Sequence, residues 1–454
     1  MSKTIIIIGA GLAGLSAALQ AAENGCNVKL VSSLPSERAQ SVMAEGGINT
    51  ALNTKDENDS PEEHFTDTIK AACGLADPNA VWGMTQAAPE LVHWLLKLGV
   101  KFNMSGYDDV DLRNFGGQKK KRTAFAQSDT GKQIMTAMID AVRRKEASGM
   151  VERFSHHSFL TLRLCGNICC GCVIRDEYSQ ETVELPGDAV IVATGGMHGL
   201  FGNTTGSLSN TGEVTAELFR LGVPLANGEM IQYHPTTVKC GGKRMLISEA
   251  ARGEGGRLFA MKDGKQWYFM EEKYPELGNL MPRDITAREI WKVSHESEVF
   301  LDMTEISEEI ISNKLSGLAD DCMTYLHKDI RKEPVSVLPG IHYFMGGILV
   351  DEQHRTPIQN LYAAGECCAQ YHGANRLGGN SLLGALYGGR VAAKSACEQA
   401  DVVDLSCATQ IDFPPASQIS EIKQLNKVMQ ETMGVVRNEN TSVSYTHLTL
   451  PTTE

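Results

Sequence analysis

A glycine-rich turn near the N-terminus constrains the fold more than any other feature of the chain. The apolar strand over 4–8 that precedes it lacks polar alternation, as expected of a strand buried in a parallel sheet. A predicted helix over 12–24 and a second strand over 27–31 complete a βαβ unit. The turn has the spacing G-x-G-x-x-G, contributed by Gly9, Gly11 and Gly14. In this strand–turn–helix context, the spacing predicts a dinucleotide-binding site.

The residues around this turn favour FAD over NAD. In such a turn the first glycine permits the tight bend, the second lets the backbone approach a pyrophosphate, and the third lets helix and strand pack closely. An acidic residue usually ends the second strand and binds the ribose hydroxyls, whereas this chain has Ser32. Later strand–glycine segments at Thr194 and Glu366 predict the second contact region that the longer FAD requires.

The composition limits the possible functional classes. A chain of 454 residues with 42% hydrophobic and 21% charged residues predicts two or three globular domains. A net charge of -13 argues against the broad basic face of a nucleic-acid-binding protein. No apolar run is long enough to span a bilayer, and no signal peptide precedes the first strand. We therefore predict a cytoplasmic protein without a direct membrane span.

The remaining pattern predicts an α/β fold, in which a Rossmann-like FAD-binding domain is split by an inserted α+β capping domain. Helical periodicity covers 61–100 and 129–149, and a β-meander covers 157–193. The segment 234–340 has short mixed elements, and the strand–glycine–helix pattern returns after it.

These patterns divide the chain into five predicted parts. They are the first part of the FAD-binding domain (1–233), the capping domain (234–340), the second part of the FAD-binding domain (341–400), the start of a C-terminal helical region (401–441) and a non-native tail (442–454). The tail is assigned because 444–453 continues neither helical nor strand periodicity.

Seven short motifs identify a family. They are AEGGI (44–48), FGGQ (115–118), QYHPT (232–236), RGEGG (252–256), PRD (282–284), HYFMGG (342–347) and HGANRLGGNSL (372–382). In this order they resemble the flavoproteins of fumarate reductase, succinate dehydrogenase and L-aspartate oxidase. The resemblance extends from residue 4 to residue 437. In the family the C-terminal helical region continues further, so the chain resembles a truncated member.

The resemblance implies reduction of fumarate to succinate and assigns the catalytic residues. Arg283 is similar to the family's proton donor, and Glu249 and Arg252 match the proton relay behind it. Arginine is an unusual acid, because the pKa of a free guanidinium lies far above neutral. It can act if it stabilises the carbanion-like transition state and is reprotonated rapidly.

The resemblance also implies a dicarboxylate site. The residues implied to bind substrate are His234, Ser248, His342, Arg376, Gln118 and Phe115. The two histidines resemble those that bind the substrate carboxylates, and the arginine fork can clamp a carboxylate bidentately. Ser248 stands where the family usually has threonine and keeps the hydroxyl donor.

The cofactor contacts implied by the turn and the resemblance are Gly9, Gly11, Gly14, Ser32, Ser41, Gly46, Gly47, Thr194, Glu366, Ser381 and Leu382. Gly46 and Gly47 would bring backbone close to the flavin ring. Ser381 and Leu382 begin a predicted helix, whose N-terminus would stabilise negative charge on reduced flavin. No metal site is predicted.

One departure from the family concerns the flavin linkage. Respiratory members attach FAD covalently through a histidine, and the matching position here is Gln40. Glutamine cannot form that bond, so we predict non-covalent FAD. A flavin without the electron-withdrawing link has a lower potential, which favours giving electrons to fumarate over taking them from succinate.

Several alternatives remain open from the sequence. L-aspartate oxidases carry an acidic residue where this chain has Phe115, which favours a substrate without an amine. Reductases of urocanate or other acrylates would lose one carboxylate ligand, and oxidation of succinate is a further possible direction. A non-catalytic assembly subunit or an incomplete fragment are the remaining possibilities.

The source of electrons is predicted to lie outside the chain. No haem-type or cluster-type cysteine spacing occurs in the sequence, so a separate electron-donor protein, such as an iron–sulfur subunit, is expected. Such a partner would allow peripheral membrane association at the inner face of the membrane.

Overall fold

The computed structural model describes residues 2–106, 109–400 and 419–437. The strands in these ranges are β1 (Thr4–Ile8), β2 (Asn27–Ser32), β3 (Ile48–Asn49), β4 (Leu112–Arg113), β5 (Thr123–Ala124), β6 (Val151–Ser155), β7 (His157–Cys165), β8 (Ile168–Asp176), β9 (Thr182–Pro186), β10 (Ala189–Val192), β11 (Leu225–Ala226), β12 (Ile231–Cys240), β13 (Lys243–Leu246), β14 (Arg257–Lys262), β15 (Lys265–Trp267), β16 (Val299–Asp302), β17 (Val335–Ser336), β18 (Leu338–Phe344), β19 (Gly347–Ile348) and β20 (Leu361–Ala363).

The α-helices in the same ranges are α1 (Leu12–Glu23), α2 (Pro61–Ala72), α3 (Pro78–Lys97), α4 (Thr130–Ala147), α5 (Glu213–Arg220), α6 (Glu249–Gly253), α7 (Phe269–Lys273), α8 (Arg283–Val293), α9 (Glu308–Lys314), α10 (Ser316–Asp321), α11 (Asn380–Gln399) and α12 (Ile419–Thr432).

A five-stranded parallel sheet with the order β20-β10-β1-β2-β6 forms the centre of the fold. The strand β20 follows the inserted segment in sequence, so the last strand of this sheet is supplied late in the chain. Because all five strands are parallel, their carboxyl ends share one edge, which is where ligands bind in open α/β sheets.

Both faces of this sheet are buried, which explains the absence of polar alternation in β1. Ile5 and Ile7 pack into a core with α1, α3, α4 and α11. Ile6 and Ile8 pack into a second core on the opposite face, with the β7–β8–β9 sheet and α5. The side chains of one strand therefore alternate between two hydrophobic cores, as expected of a parallel sheet covered on both sides.

The inserted capping domain has a hydrophobic core of its own. It contains the sheet β15-β14-β16-β17 and the helices α6 to α10, packed around residues such as Leu258, Ile290 and Leu301. The sheet β13-β12-β18 runs along its border with the FAD-binding domain. The register of β12 against β18 shifts on both sides of His234. Such irregularities re-aim side chains and are common next to binding sites.

The predicted helix over 61–100 is broken into α2 and α3. Ser60 caps α2 by accepting from Glu63 N at 3.2 Å. The helix ends at Cys73, which has a left-handed φ of 53°. Asp77 starts α3 by accepting from Asn79 N at 2.8 Å. Two local capping signals therefore override the continuous helical periodicity.

The C-terminal helix α12 lies against the FAD-binding domain. Met429 and Met433 pack with Phe201 and Phe344, and Tyr233 Oη donates to Met433 O at 2.6 Å. The predicted tail over 442–454, and most of the rest of the predicted region 401–441, lie outside the described residues.

The crossing of α1 and α11 gives a test of the fold. A Cβ at Gly389 would lie 2.3 Å from Ala13 O and 2.9 Å from Ser16 Cβ. We expect Gly389→Ala to lower the free energy of unfolding by about 3 kcal/mol, because the obstructing atoms include backbone. Thermal and urea unfolding should be compared with Gly228→Ala, whose added Cβ meets nothing within 4 Å. Equal stability of the two variants would contradict this helix crossing.

Candidate active site

A cavity of about 580 Å³ lies at the carboxyl edge of the parallel sheet and extends to the capping domain. Its volume falls in the range of cofactor and ligand pockets. The predicted residues that line it are Gly9, Gly11, Ser32, Ser41, Gly46, Gly47, Phe115, Thr194, His234, Ser248, Glu249, Arg283, His342, Glu366, Arg376, Ser381 and Leu382. Gly14, Gln118 and Arg252 lie behind its wall. Residues predicted for the cofactor and for the substrate therefore share one continuous space.

The three glycines of the turn have different surroundings. Gly9 has a φ of +110°, and its Cβ would lie 2.3 Å from Ala193 O. A Cβ at Gly14 would lie 1.8 Å from Gly9 O. Gly11 is different, because its Cβ would meet nothing nearer than Ser41 Oγ at 3.7 Å. Backbone packing thus requires the first and third glycines, while the second leaves space on the cavity side for a pyrophosphate.

Two serines border this part of the cavity. Ser32 ends β2, and its buried Oγ has no hydrogen-bond partner in the described part of the chain. A ribose hydroxyl would satisfy it. Ser41 Oγ accepts from Leu12 N at 3.2 Å and so braces the start of α1.

The loop with Gly46 and Gly47 is held by a residue that the sequence analysis missed. Arg113 Nε donates to Gly46 O at 3.0 Å, and its Nη2 donates to Glu45 O at 3.1 Å. The guanidinium also lies 4.3 Å from the centre of the Phe125 ring. Gly47 has a φ of +133° and approaches Ala124 O. Arg113 therefore fixes the carbonyls of this loop; its only sequence signal was its place just before the FGGQ motif.

Glu366 is oriented by two donors from different segments. Its Oε1 accepts from Phe344 N at 3.0 Å and lies 3.1 Å from His198 Nε2. The imidazole of His198 is fully buried, and its Nδ1 lies 2.8 Å from Thr204 Oγ1. No sequence pattern singled out His198, because a single histidine in a loop carries no recognisable spacing. With Oε1 occupied, Oε2 is the oxygen that remains for a cofactor.

The predicted catalytic residues form one hydrogen-bonded cluster. Arg283 donates to Glu249 Oε2 from Nε at 2.8 Å and from Nη2 at 2.6 Å. Arg252 Nη2 donates to Glu249 Oε1 at 3.2 Å. Burial alone would raise the pKa of Glu249, but the positive charges of Arg283 and Arg252 outweigh burial and leave the pKa below its ordinary value. The carboxylate is therefore ionised between its two arginines.

Gln232 connects this cluster to Arg376. Its Oε1 accepts from Arg283 Nη1 at 3.0 Å and from Arg376 Nη2 at 2.9 Å, and its Nε2 donates to Arg376 O at 2.7 Å. The glutamine belongs to the QYHPT motif, but no role was predicted for it. Its carbonyl oxygen accepts from two guanidiniums whose positive charges still repel one another.

The charge balance of this cluster suits a dianion. Arg252 and Arg283 bond Glu249 directly, and Arg376 joins them through Gln232, so these four residues carry an excess of two positive charges. The charge of Glu366 offsets part of this excess at Arg376. Burial and the charge of Arg283 lower the pKa of Arg376 to about 9, so it remains charged at neutral pH. Its guanidinium also lies 4.4 Å from the centre of the Tyr343 ring.

His234 and His342 face one another with ring centres 5.1 Å apart. Burial and the charge of Arg283 lower the pKa of both imidazoles well below the ordinary value, and Arg376 adds to this at His342. Both rings are therefore neutral. The buried Nε2 of His234 has no partner among the described residues, and Thr205 Oγ1 lies 2.8 Å from His342 Nδ1.

The other predicted substrate residues occupy three kinds of position. Ser248 precedes α6, where its Oγ accepts from Ala250 N at 3.4 Å, and it borders the cavity. Phe115 is buried and presents its ring edge to Gly46. Gln118 lies behind the wall, where its Nε2 donates to Gly378 O at 2.7 Å. Its described contacts support the Gly378 loop rather than the cavity.

Comparison with known proteins places the chain in a family. The FAD binding domain family matches residues 4–382. The succinate dehydrogenase flavoprotein subunit of Bacillus subtilis (strain 168) is 41% identical over 455 residues, covering 98% of this chain and 77% of that protein. The chain is a member of the succinate dehydrogenase and fumarate reductase flavoprotein family.

Two further comparisons show how this flavoprotein relates to others. It is 32% identical to the L-aspartate oxidase of Streptomyces coelicolor, covering 96% of this chain and 77% of that enzyme. A mutated chain of E. coli quinol fumarate reductase superposes with a TM-score of 0.87 and 27% identity, covering 98% of this chain and 81% of that one. The protein is thus an FAD-dependent oxidoreductase with the fold of a fumarate reductase flavoprotein.

The geometry of the cavity fits FAD. Three groups suited to the cofactor border the cavity: the open side of Gly11, the carboxylate of Glu366, and Ser32 Oγ, which has no partner among the described residues. The helix α11 follows the left-handed Gly379 at φ +86°, and Ser381 and Leu382 in its first turn border the same cavity. A long helix with its N-terminus at the cavity favours negative charge there.

The described residues contain neither a membrane-spanning helix nor a metal-binding cluster. No helix among them is long and apolar enough to cross a membrane. No group of three or more histidine, cysteine or acidic side chains in these ranges could hold a metal ion.

Glu45, next to the cavity-lining Gly46 and Gly47, predicts an unusual pH dependence of stability. Burial, with the nearby charge of Asp321, raises the pKa of Glu45 from 4.5 to about 8. Between about pH 5 and 8, the folded protein therefore keeps this proton while the unfolded chain has lost it. The free energy of unfolding falls as pH rises through this window, by about 1 kcal/mol per pH unit. Glu45→Gln keeps the shape and cannot ionise.

Urea unfolding of wild type and Glu45→Gln at about pH 5.5, 6.5 and 7.5 tests this linkage. We expect the stability advantage of Glu45→Gln to grow with pH. The exposed Glu309→Gln controls for the loss of one negative charge. Parallel curves for wild type and Glu45→Gln would contradict a protonated Glu45.

Proposed function

We propose that this flavoprotein reduces fumarate to succinate and that Arg283 is the proton donor. The observation that carries the proposal is the position of Arg283 in the cavity wall. A guanidinium has five N–H donors, and Glu249 and Gln232 together accept from three of its N–H groups. Two N–H groups remain for a ligand in the cavity.

The reaction adds a hydride to one alkene carbon and a proton to the other. FAD, when bound, supplies the hydride. Arg283 gives the proton at its free N–H, and its positive charge stabilises the negative charge that develops on the carbon being protonated. Glu249 is bonded to both Arg283 and Arg252, so a proton can return to Arg283 along this path.

The other polar residues of the cavity hold the two carboxylates. Arg376 provides a charged fork, and neutral His234 and His342 provide hydrogen-bond donors without adding charge. Ser248 offers a hydroxyl on the same wall. Fixing the carboxylates in this way places the double bond for transfer, because orientation contributes strongly to such reactions.

L-aspartate oxidase is the second candidate, since one relative bears that name. The environment of Phe115 disfavours it, because a buried phenyl ring next to Gly46 cannot pair with a substrate ammonium in the way a carboxylate can. We further propose that a separate protein, such as an iron–sulfur subunit, supplies electrons. Reduction is favoured over succinate oxidation because Gln40 stands at the position of the covalent linkage in respiratory relatives.

Substitution of Arg283 tests the reaction and the donor together. With FAD occupancy matched, Arg283→Lys should oxidise reduced viologen in the presence of fumarate at a rate lower by a factor of about 1,000, because general-acid catalysis of this kind contributes 10²–10⁴. Arg288→Ala, on an exposed face of the same helix, is the control and should keep its rate. Unchanged turnover in Arg283→Lys would rule out Arg283 as the proton donor. Ammonia release from L-aspartate under oxygen would favour the L-aspartate oxidase activity.

The flavin linkage predicts a simple extraction result. Because Gln40 cannot form the covalent bond, acid precipitation of the FAD-loaded protein should release all flavin to the supernatant. Absorbance of the supernatant and in-gel fluorescence of the denatured chain measure the two fractions. Flavin fluorescence that stays with the denatured chain would show that another residue forms a covalent link.

A further inference from the structure

The hydrogen bonds around Ile341 O determine where the proton of the Thr205 hydroxyl goes. This carbonyl accepts from Thr205 N at 2.9 Å, and Thr204 Oγ1 lies 3.1 Å from it. In a hydrogen bond donated by a hydroxyl, the two heavy atoms are usually about 2.5–3.0 Å apart. Thr205 Oγ1 lies farther away, at 3.4 Å, but it is 2.8 Å from His342 Nδ1. The hydroxyl proton is therefore directed to the imidazole.

An imidazole nitrogen that accepts a hydrogen bond cannot carry a proton. His342 is neutral, as argued above, so its single N–H must be on Nε2. Nδ1 faces Thr205 and the ring borders the cavity, which leaves Nε2 as the nitrogen available to a ligand. The opposite tautomer would present a lone pair to a carboxylate oxygen and repel it.

We propose that Thr205 is a positioning residue that fixes the tautomer of His342, so that the imidazole donates its Nε2–H to a substrate carboxylate. The inference rests on the proposed dicarboxylate site, but the tautomer itself is a property of the protein alone. Thr205 lines the same cavity and is 7% exposed, so its hydroxyl has little competition from water.

His234 shows why the hydroxyl matters at His342. The Nδ1 of His234 lies 3.1 Å from Thr236 O and 3.3 Å from Thr236 N. Backbone groups therefore offer both a donor and an acceptor to that ring, while the Thr236 hydroxyl lies 3.4 Å from Nδ1 and donates to Ile247 O at 2.8 Å. At His342 the selection depends on one hydroxyl, which a single substitution can remove.

Thr205→Val is the decisive variant, because it keeps the β-branched shape and loses only the hydroxyl. In protein labelled with ¹⁵N-histidine, the His342 signals are identified by their loss in His342→Gln. We expect wild type and Thr205→Ser to show a protonated Nε2 and an unprotonated Nδ1. In Thr205→Val both nitrogen shifts should move toward the average of the two tautomers. A protonated Nδ1 in wild type, or an unchanged Thr205→Val spectrum, would overturn the inference.

Malonate binding supplies the functional readout, because this dicarboxylate has no bond that the enzyme could reduce or oxidise. Its Kd for the oxidised FAD-loaded protein should rise about tenfold in Thr205→Val, the effect of losing one oriented hydrogen bond. Thr205→Ser should restore binding, and FAD affinity should not change. Equal malonate affinity in wild type and Thr205→Val would overturn the inference. Absence of malonate binding in wild type would count against the dicarboxylate site instead, and the ¹⁵N spectrum would still decide the tautomer.

Discussion

The buried carboxylate of Glu249 is the interaction on which the arrangement of the site depends. It accepts from Gly116 N at 3.1 Å as well as from Arg252 and Arg283. A carboxylate taken out of water is costly unless such donors surround it, and removing one partner of a buried ion pair typically costs 3–5 kcal/mol. Because Glu249 needs donors from Gly116, Arg252 and Arg283, it holds the FGGQ loop of the FAD-binding domain against α6 and α8 of the capping domain.

The same carboxylate explains two of the glycine motifs. A Cβ at Gly116 would lie 2.6 Å from Glu249 Oε1, and a Cβ at Gly378 would lie 2.9 Å from Glu249 Oε2. These glycines allow backbone from two distant segments to approach the charged cluster. Gly378 O is held in turn by Gln118 at 2.7 Å and by Asn49 Nδ2 at 2.8 Å. The loop that carries Arg376 is thus supported by residues outside the cavity.

Two adjacent threonines support two different residues of the cavity wall. Thr204 contacts His198, which contacts Glu366. Thr205 contacts His342. One dipeptide therefore helps to position two wall residues that come from different segments of the chain.

The sequence by itself determined the βαβ unit, the glycine turn, the order of the family motifs and the residue types that line the cavity. These features could be predicted because they are local. Strand periodicity, turn chemistry and short motifs depend on residues that are adjacent in the sequence. The sequence could not separate residues that border the cavity from residues that support it. Gln118 is predicted to bind substrate, and the structure places it behind the cavity wall in contact with Gly378. Arg113, Gln232 and Thr205 were not singled out for the contacts they make.

Only the tertiary structure decided these roles, because each depends on a partner far away in the chain. Gln232 contacts Arg376, 144 residues later, and Thr205 contacts His342, 137 residues later. The direction of a hydrogen bond also depends on the distances to the available acceptors, as for the Thr205 hydroxyl between Ile341 O and His342 Nδ1. These distances depend on the positions of distant groups, and no local pattern in the sequence contains them.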